Sequence, residues 1–131
     1  MNEGKIPTEL RYTKSHEWVR LEGDVATIGI TDHAQSELTD IVFVDLSAQG
    51  KTVAAGATVL VLESVKTVAD VYAPVAGTVT FVNVDLKAHP ELVNQDPYGK
   101  GWIFRMKFSE PVDPATFLSA DDYRAFVASG A

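Results

Sequence analysis

A valine-rich run over residues 59–84 constrains the fold of this chain more than any other stretch. The β-branched and aromatic residues within it favour extended strands over helix. Near its middle, residues 63–70 (Glu-Ser-Val-Lys-Thr-Val-Ala-Asp) lie between two apolar pieces, 59–62 and 71–75, and bring in a single amine, that of Lys66. The pattern predicts two strands joined by a tight turn, with Lys66 at the tip of the hairpin.

A lysine on a hairpin is ordinary by itself, because lysines are common on exposed turns and strand edges. A solvated surface charge therefore remains an open interpretation of Lys66 at this point. Glu63 and Asp70 flank it, and their spacing could suggest paired carboxylates for acid–base chemistry, but nothing near them indicates a substrate pocket. Hairpin charges that another protein recognises are the better interpretation.

Short strands bounded by glycine turns dominate the rest of the chain. Besides the hairpin, extended pieces are predicted over residues 10–12, 17–21, 25–30, 41–46 and 78–84, with one short strand within 51–55. Residues 102–108 alternate, so Trp102, Phe104, Met106 and Phe108 should face the core while Arg105 and Lys107 face water. Many short strands with glycine turns predict a mainly β fold, either a sandwich or a small barrel.

Capping residues predict short helices between the strands. Asp32, with Gln35 three residues later, resembles a capping box and predicts a helix that ends at about Leu38. Pro90 suits the first position of a helical turn over residues 90–93, because proline has no N–H to leave unpaired.

The C-terminal part changes from strand to helical patterning. Asp113 is predicted to cap a short turn, and Ser119 with Asp122 to cap a last helix. The chain is therefore expected to form one domain over residues 1–131, with a core over about 10–109 and a C-terminal helical segment over about 113–128.

Length and charge limit the kind of partner. The 131 residues suffice for one domain with a modest core. The formal charge of −7 argues against nucleic acid, which is bound through clusters of lysine and arginine. No stretch approaches the roughly 20 apolar residues of a membrane span, and the first residues lack the pattern of a signal peptide. We expect a soluble, cytoplasmic protein that binds neither nucleic acid nor membrane.

The chemistry available to the polypeptide itself is narrow. There is no cysteine, so any redox role must come from an attached group. The three histidines, His16, His33 and His89, have spacings unlike those of zinc ligands, and surface or capping roles are expected for them. No motif of a nucleophilic hydrolase or of a nucleotide-binding loop occurs. These observations argue against an enzyme in its own right and against a metal site.

One chemistry does need a lysine on a stiff turn. An enzyme that acylates a single lysine must find one amine among many, and a fixed turn presents its side chain in a reproducible direction. Lysine amines are almost entirely protonated at pH 7, so the base must come from the modifying enzyme. Once acylated, such a side chain becomes a flexible tether that raises the effective concentration of its end group at successive partners.

At these residues a specific resemblance emerges. Residues 63–66 (Glu-Ser-Val-Lys), with Asp70 and the segment Ala-Pro-Val-Ala-Gly at 73–77, are similar to the lipoylation site of the glycine cleavage system H-protein family. The resemblance continues in separated blocks that keep the family's order: residues 12–19, 29–35, 40–44, 92–94, 96–99 and 101–102. It implies a lipoyl/biotinyl-type β-sandwich, a barrel-sandwich hybrid, with short helices and a C-terminal helix.

The resemblance also implies a function. A protein of this family carries lipoate covalently, as N6-lipoyllysine, which here would be on Lys66. It shuttles the aminomethyl group of glycine from glycine decarboxylase (P protein) to aminomethyltransferase (T protein), and dihydrolipoamide dehydrogenase (L protein) reoxidises it. A lipoate ligase or a lipoyl/octanoyl transferase attaches the group. The missing cysteines are consistent with this role, because the dithiol belongs to the cofactor.

Matching positions extend the resemblance to other site residues. Ser15, Glu17 and Asp70 match positions that line the cleft holding the loaded arm. Glu63 and Gly50 match positions associated with recognition by the lipoylating enzyme. Some relatives carry histidine where this chain has Glu37, and alanine is common where it has Thr67.

Related carriers fit less well. A biotin carrier resembles Met-Lys-Met at the tip, and a lipoyl domain of a 2-oxoacid dehydrogenase typically shows Asp-Lys-Ala, whereas Val65 and Thr67 flank the lysine here. A closer alternative is an H-like protein that passes lipoyl groups to other lipoate-dependent enzymes. The sequence separates this donor role poorly from glycine cleavage.

Overall fold

The computed structural model describes residues 4–108 and 110–130. Within these residues nine strands, four α-helices and one 3-10 turn (Pro114–Thr116) are formed. The strands are β1 (Arg11–Tyr12), β2 (Glu17–Glu22), β3 (Val25–Ile30), β4 (Ile41–Val44), β5 (Thr52–Val53), β6 (Thr58–Ser64), β7 (Val68–Tyr72), β8 (Gly77–Val82) and β9 (Phe104–Lys107). The helices are α1 (Asp32–Leu38), α2 (Asp85–Ala88), α3 (Leu92–Gln95) and α4 (Ala120–Ala128). The mainly β fold class with short helices and a terminal helix is confirmed.

The strands form two antiparallel sheets. One has six strands in the order β1-β2-β3-β9-β8-β5, and the other has three in the order β4-β6-β7. The predicted hairpin is the β6–β7 pair, in which Leu62 lies opposite Ala69 and Glu63 opposite Val68. Because successive side chains of a strand point to opposite faces, Leu62 is buried between the sheets while Glu63 is exposed.

The larger core fills the space between the two sheets. Its fully buried members include Ile28, Leu60, Phe104 and Met106. A second cluster joins α4 to β1 and β2, and there the rings of Tyr12 and Tyr123 stack with centroids 4.8 Å apart. The second cluster holds the C-terminal helix against the edge of the six-stranded sheet.

Some predicted helix ends are confirmed, and others lie one or two residues away from the predicted position. Ser119 caps α4 by accepting the N–H of Asp122, as predicted. The cap of α1 is Thr31 rather than Asp32, because the Thr31 hydroxyl accepts the N–H of Ala34. The helical turn expected to begin at Pro90 begins two residues later, as α3, and α2 was not predicted.

The prediction that Trp102 faces the core with the alternating residues after it is only partly confirmed, because Trp102 is half-buried and packs against the second cluster instead of the core between the sheets. Strand β9 begins only at Phe104, so Trp102 lies outside the alternation. Its ring is half-buried and packs on Arg105, whose guanidinium carbon lies 4.3 Å from the ring centroid. None of the helices within the described ranges is long and apolar enough to cross a membrane.

Candidate functional site

The tip of the β6–β7 hairpin is a tight turn held by one serine. The Ser64 hydroxyl accepts the backbone N–H of Lys66 at 3.1 Å and that of Thr67 at 3.0 Å. The N–H of Ser64 in turn donates to the Thr67 carbonyl at 2.8 Å. Serine favours turns because its side chain can satisfy backbone groups in this way. The backbone of Lys66 is therefore fixed although its side chain is exposed.

Two contacts dock this tip on the segment that contains α1. The N–H of Val65 donates to the carbonyl of Asp40 at 3.0 Å. The Lys66 Nζ donates to the carbonyl of Glu37, in the last turn of α1, at 3.2 Å. Carbonyls at a helix C-terminus lack partners within the helix and favour a cation. The amine therefore has a preferred position over the end of α1.

Asn94 on α3 positions the segment between α1 and β4. Its Nδ2 donates to the side chain of Gln35 at 3.0 Å and to the carbonyl of Thr39 at 2.8 Å, and its Oδ1 accepts the N–H of Ile41 at 2.9 Å. Apart from the family resemblance, no local sequence pattern connects Asn94 with the hairpin. These bonds hold the platform on which the tip rests.

A cleft of about 370 Å³ lies beside the hairpin, between α1, β3 and the β6–β7 pair. Its apolar lining comes from all of these elements, and its polar lining mainly from α1 and the loop before β2. The lining residues are Ser15, His16, Ile30, His33, Ala34, Glu37, Leu38, Leu62, Ala69, Asp70 and Val71. Because Lys66 is hydrogen-bonded to one of them, Glu37, the amine lies at the edge of the cleft.

The three residues predicted for the cleft occupy two different positions. Ser15 and Asp70 line it, whereas Glu17 is buried behind Ser15. One oxygen of the Glu17 carboxyl group accepts the hydroxyls of Thr13 at 2.5 Å and Ser15 at 2.6 Å, and the other accepts the N–H of Tyr72 at 3.3 Å. Glu17 thus fixes the Ser15 side chain and joins β2 to the end of β7.

The wall formed by His16 and His33 was not foreseen. The surface or capping role expected for His33 is wrong, since His33 is buried; His16 is half-buried, with its ring centroid 5.0 Å from that of His33. The Tyr123 hydroxyl on α4 lies 2.7 Å from His16 Nδ1 and 2.7 Å from the hydroxyl of Thr31. His16 adopts φ +70°, a conformation that histidine tolerates better than most residues. This network ties the C-terminal helix to the cleft.

Burial sets the ionisation of His16. It lowers the imidazole pKa because water no longer solvates the charged form, and the neighbouring His33 lowers it further. Glu37, on the same side of the cleft, acts in the opposite direction and only partly offsets these effects. The cleft therefore presents a neutral imidazole near neutral pH.

Of the two residues predicted for enzyme recognition, one lies on a strand of the three-stranded sheet and the other in a turn bonded to the six-stranded sheet. Glu63 is exposed on β6, three residues before Lys66, next to Val68 of β7. Gly50 lies in the turn before β5, with φ +89°, and its N–H donates to the carbonyl of Val79 on the six-stranded sheet. Open space surrounds the position where a side chain at Gly50 would begin. Its visible role is to form this turn.

The comparisons with known proteins agree with one another. The profile of the family described as glycine cleavage H-protein matches residues 10–130. The chain is 54% identical, over 119 residues, to a glycine cleavage system H protein of Rubrobacter xylanophilus, covering 91% of this chain and 92% of that one. It is 50% identical, over 122 residues, to one of Bacteroides fragilis, covering 93% and 97%.

A solved structure shows the same fold. The crystal structure of a glycine cleavage system H protein from Mycobacterium marinum superposes with a TM-score of 0.83 at 35% identity, covering 96% of this chain and all of the other. The two-sheet architecture is therefore the lipoyl-type β-sandwich that the sequence predicted.

Proposed function

The chain belongs to the glycine cleavage H-protein family, and we propose that it serves the glycine cleavage system as a carrier whose lipoyl group is attached to Lys66. The observation that carries this proposal is the position of that amine. Lys66 is the tip residue of a fixed turn, its side chain is exposed, and it reaches the edge of a largely apolar cleft.

The residues of the cleft suit a lipoyl arm. Such an arm is an aliphatic chain that ends in a sulfur ring, and Ile30, Leu38, Leu62 and Val71 offer it apolar contacts. When bound, lipoate supplies the redox-active disulfide that a chain without cysteine lacks, and it carries the aminomethyl group of glycine. Burial of apolar surface against these four residues favours an arm held in the cleft over one extended into water.

The residues of this chain then have separate tasks. The Ser64 turn orients the attachment point, and the apolar lining excludes water from what the cleft holds. We assign Ser15 and Asp70 to polar contacts with the held arm, and Glu17 to the orientation of Ser15. The neutral His16 keeps a charge out of this wall near neutral pH.

The carrier role implies successive partners rather than catalysis by this chain. Glycine decarboxylase (P protein) loads the carrier, aminomethyltransferase (T protein) unloads it, and dihydrolipoamide dehydrogenase (L protein) restores its oxidised form. A lipoate ligase or a lipoyl/octanoyl transferase would modify Lys66, with Glu63 and Gly50 assisting recognition. A tether lets one chain serve each enzyme at high effective concentration.

Reconstitution tests this function. The lipoylated chain, mixed with P, T and L proteins, glycine, tetrahydrofolate and NAD, should support glycine cleavage, and the unlipoylated chain should not. A lipoylated chain that fails in this assay but passes lipoyl groups to other acceptor proteins would instead be a lipoyl donor. The proposal requires the first result.

A further inference from the structure

An apolar surface lies on the outward face of the three-stranded sheet, beside Lys66. Phe43 on β4 is the register partner of Glu63, which is in turn the partner of Val68 on β7. Phe43 is 50% exposed and Val68 60% exposed. Val42, at the register shift just before Phe43, and Val65, in the turn next to Lys66, are also exposed, at 53% and 68%. We name these four residues, Val42, Phe43, Val65 and Val68, the apolar hairpin surface.

Apart from Lys66 itself, the charged residues tied to this surface by register, hydrogen bond or sequence are acidic. Glu63 lies between Phe43 and Val68 in the register, and the carbonyl of Asp40 accepts the N–H of Val65. Asp70 follows Val68 on β7. Among the described residues, no lysine or arginine forms an ion pair with Asp40, Glu63 or Asp70. These carboxylates remain available to a partner's cations.

We propose that the apolar hairpin surface is the docking site of the enzyme that acylates Lys66, and that this enzyme covers it with apolar side chains ringed by lysine and arginine. The inference rests on the proposed attachment of the lipoyl group to Lys66. Exposed apolar side chains grouped beside a reactive group mark interaction sites, and opposite charges at the rim steer association and fix register.

The acyl-transfer step explains why this enzyme is the occupant. The Nζ of Lys66 attacks the carbonyl carbon of an activated acyl donor, a mixed anhydride or a thioester. A C–N amide bond forms, the bond to the leaving group breaks, and the amine proton passes to a base of the enzyme. This chemistry occurs at Nζ itself, so the active site must reach the hairpin tip. Enzymes that act on the finished arm react at its far end and not at Nζ.

The hairpin register makes contact with the surface unavoidable for such an enzyme. Val65 is adjacent to Lys66 in the chain, and Val68 is two residues beyond it. Phe43 lies opposite Glu63 in the strand register, and Glu63 is three residues before Lys66. An enzyme that surrounds the Lys66 side chain therefore covers these apolar groups, and burying them contributes to its affinity.

The test is steady-state acylation of the full-length, unmodified chain by a purified lipoate ligase from the same organism, with lipoate and ATP. Phe43→Asp and Val68→Asp should each raise the KM for the chain at least tenfold. The matched control is Phe81→Asp, because Phe81 is also a half-exposed phenylalanine, at 56%, but lies on β8 of the other sheet. Its KM should stay within twofold of that of the unaltered chain.

A second set of measurements keeps the test decisive if an aspartate variant unfolds. Phe43→Ser and Val68→Ser, checked for an unchanged circular dichroism spectrum, should show the same effect with smaller size. Raising the salt concentration should increase the KM of the unaltered chain, because screening weakens the contacts to Asp40, Glu63 and Asp70.

Each outcome has a distinct meaning. If the unaltered chain is acylated and the Phe43 and Val68 variants match the Phe81 control, the docking proposal is overturned. If acylation is unchanged but the fully loaded variants fail in glycine cleavage, the surface serves an enzyme acting on the arm, and the proposal is again overturned. If Lys66 of the unaltered chain is never acylated, the proposed function itself fails.

Discussion

The Nζ of Lys66 lies 3.2 Å from the backbone oxygen of Glu37 and donates a hydrogen bond to it. This contact joins the tip of the β6–β7 hairpin to the last turn of α1, which forms one wall of the cleft. The amine is thus exposed to other proteins and, in the same position, lies at the edge of the cleft. A single position suits both attachment by one enzyme and subsequent storage of the arm.

Replacing Lys66 should abolish modification without unfolding the chain. Because the side chain is exposed and makes one hydrogen bond, Lys66→Ala should change the free energy of unfolding by no more than about 0.5 kcal/mol. Urea denaturation measures this change, and mass spectrometry measures modification. Lys66→Arg is the matched control, since it keeps the charge but should also remain unmodified. A large loss of stability in the alanine variant would mean that Lys66 is structural.

The stability of the chain should decrease as the pH is lowered, because of the partly buried imidazole of His16. The folded state lowers the pKa of this imidazole, so at mildly acidic pH the unfolded chain binds the proton more readily. The free energy of unfolding should therefore decrease as pH falls below about 6.5, and the contribution should level off below the folded-state pKa. His16→Asn, which tolerates the positive φ, should flatten this dependence.

The control for the pH experiment is the exposed His89. His16→Asn should flatten the slope of unfolding free energy against pH between about pH 5.5 and 7.5, where ordinary carboxyl groups are already ionised, more than His89→Asn does. An equal slope in the unaltered chain and the His16 variant would contradict the burial of a neutral imidazole beside His33.

How far the site could be predicted from the sequence depends on how local each part is. The hairpin with Lys66 at its tip follows from a run of neighbouring residues, and the Ser119 cap from residues three apart. The cleft wall does not, because His16 and Tyr123 are 107 positions apart in the chain and only the fold brings them within 2.7 Å. Asn94 is a similar case, since it meets Thr39 across 55 positions.

The two tryptophans illustrate the same limit. Alternation placed Trp102 in the core, but the strand begins after it and the ring is only half-buried. Trp18 is fully buried, and its Nε1–H donates to the carbonyl of Pro97 at 2.9 Å. Trp18→Ala should therefore cost roughly 3 to 5 kcal/mol, and Trp102→Ala less than about 3 kcal/mol. Thermal or urea unfolding of both variants measures the order, and the reverse order would contradict the assigned packing.

Gly50 offers a test that separates turn formation from recognition. Its φ of +89° disfavours a side chain, although space for one exists, so Gly50→Ala should lower the unfolding free energy by about 1 to 2 kcal/mol. Gly50→Asn should cost less, because asparagine tolerates positive φ. If acylation of Lys66 by the lipoate ligase falls in the same order as stability, Gly50 acts through its turn. Acylation that is slow in both variants but does not follow the order of their stabilities would contradict a role of Gly50 through its turn.

Peptide mass spectrometry of the chain purified from its native host tests the central claim most directly. The peptide that contains Lys66 should carry the mass of one lipoyl group, and peptides containing the other lysines should not. Lys66→Arg, expressed in the same host, should carry none. An unmodified Lys66 in cells supplied with lipoate, or a lipoyl group on another lysine, would contradict the assignment of this hairpin as the attachment site.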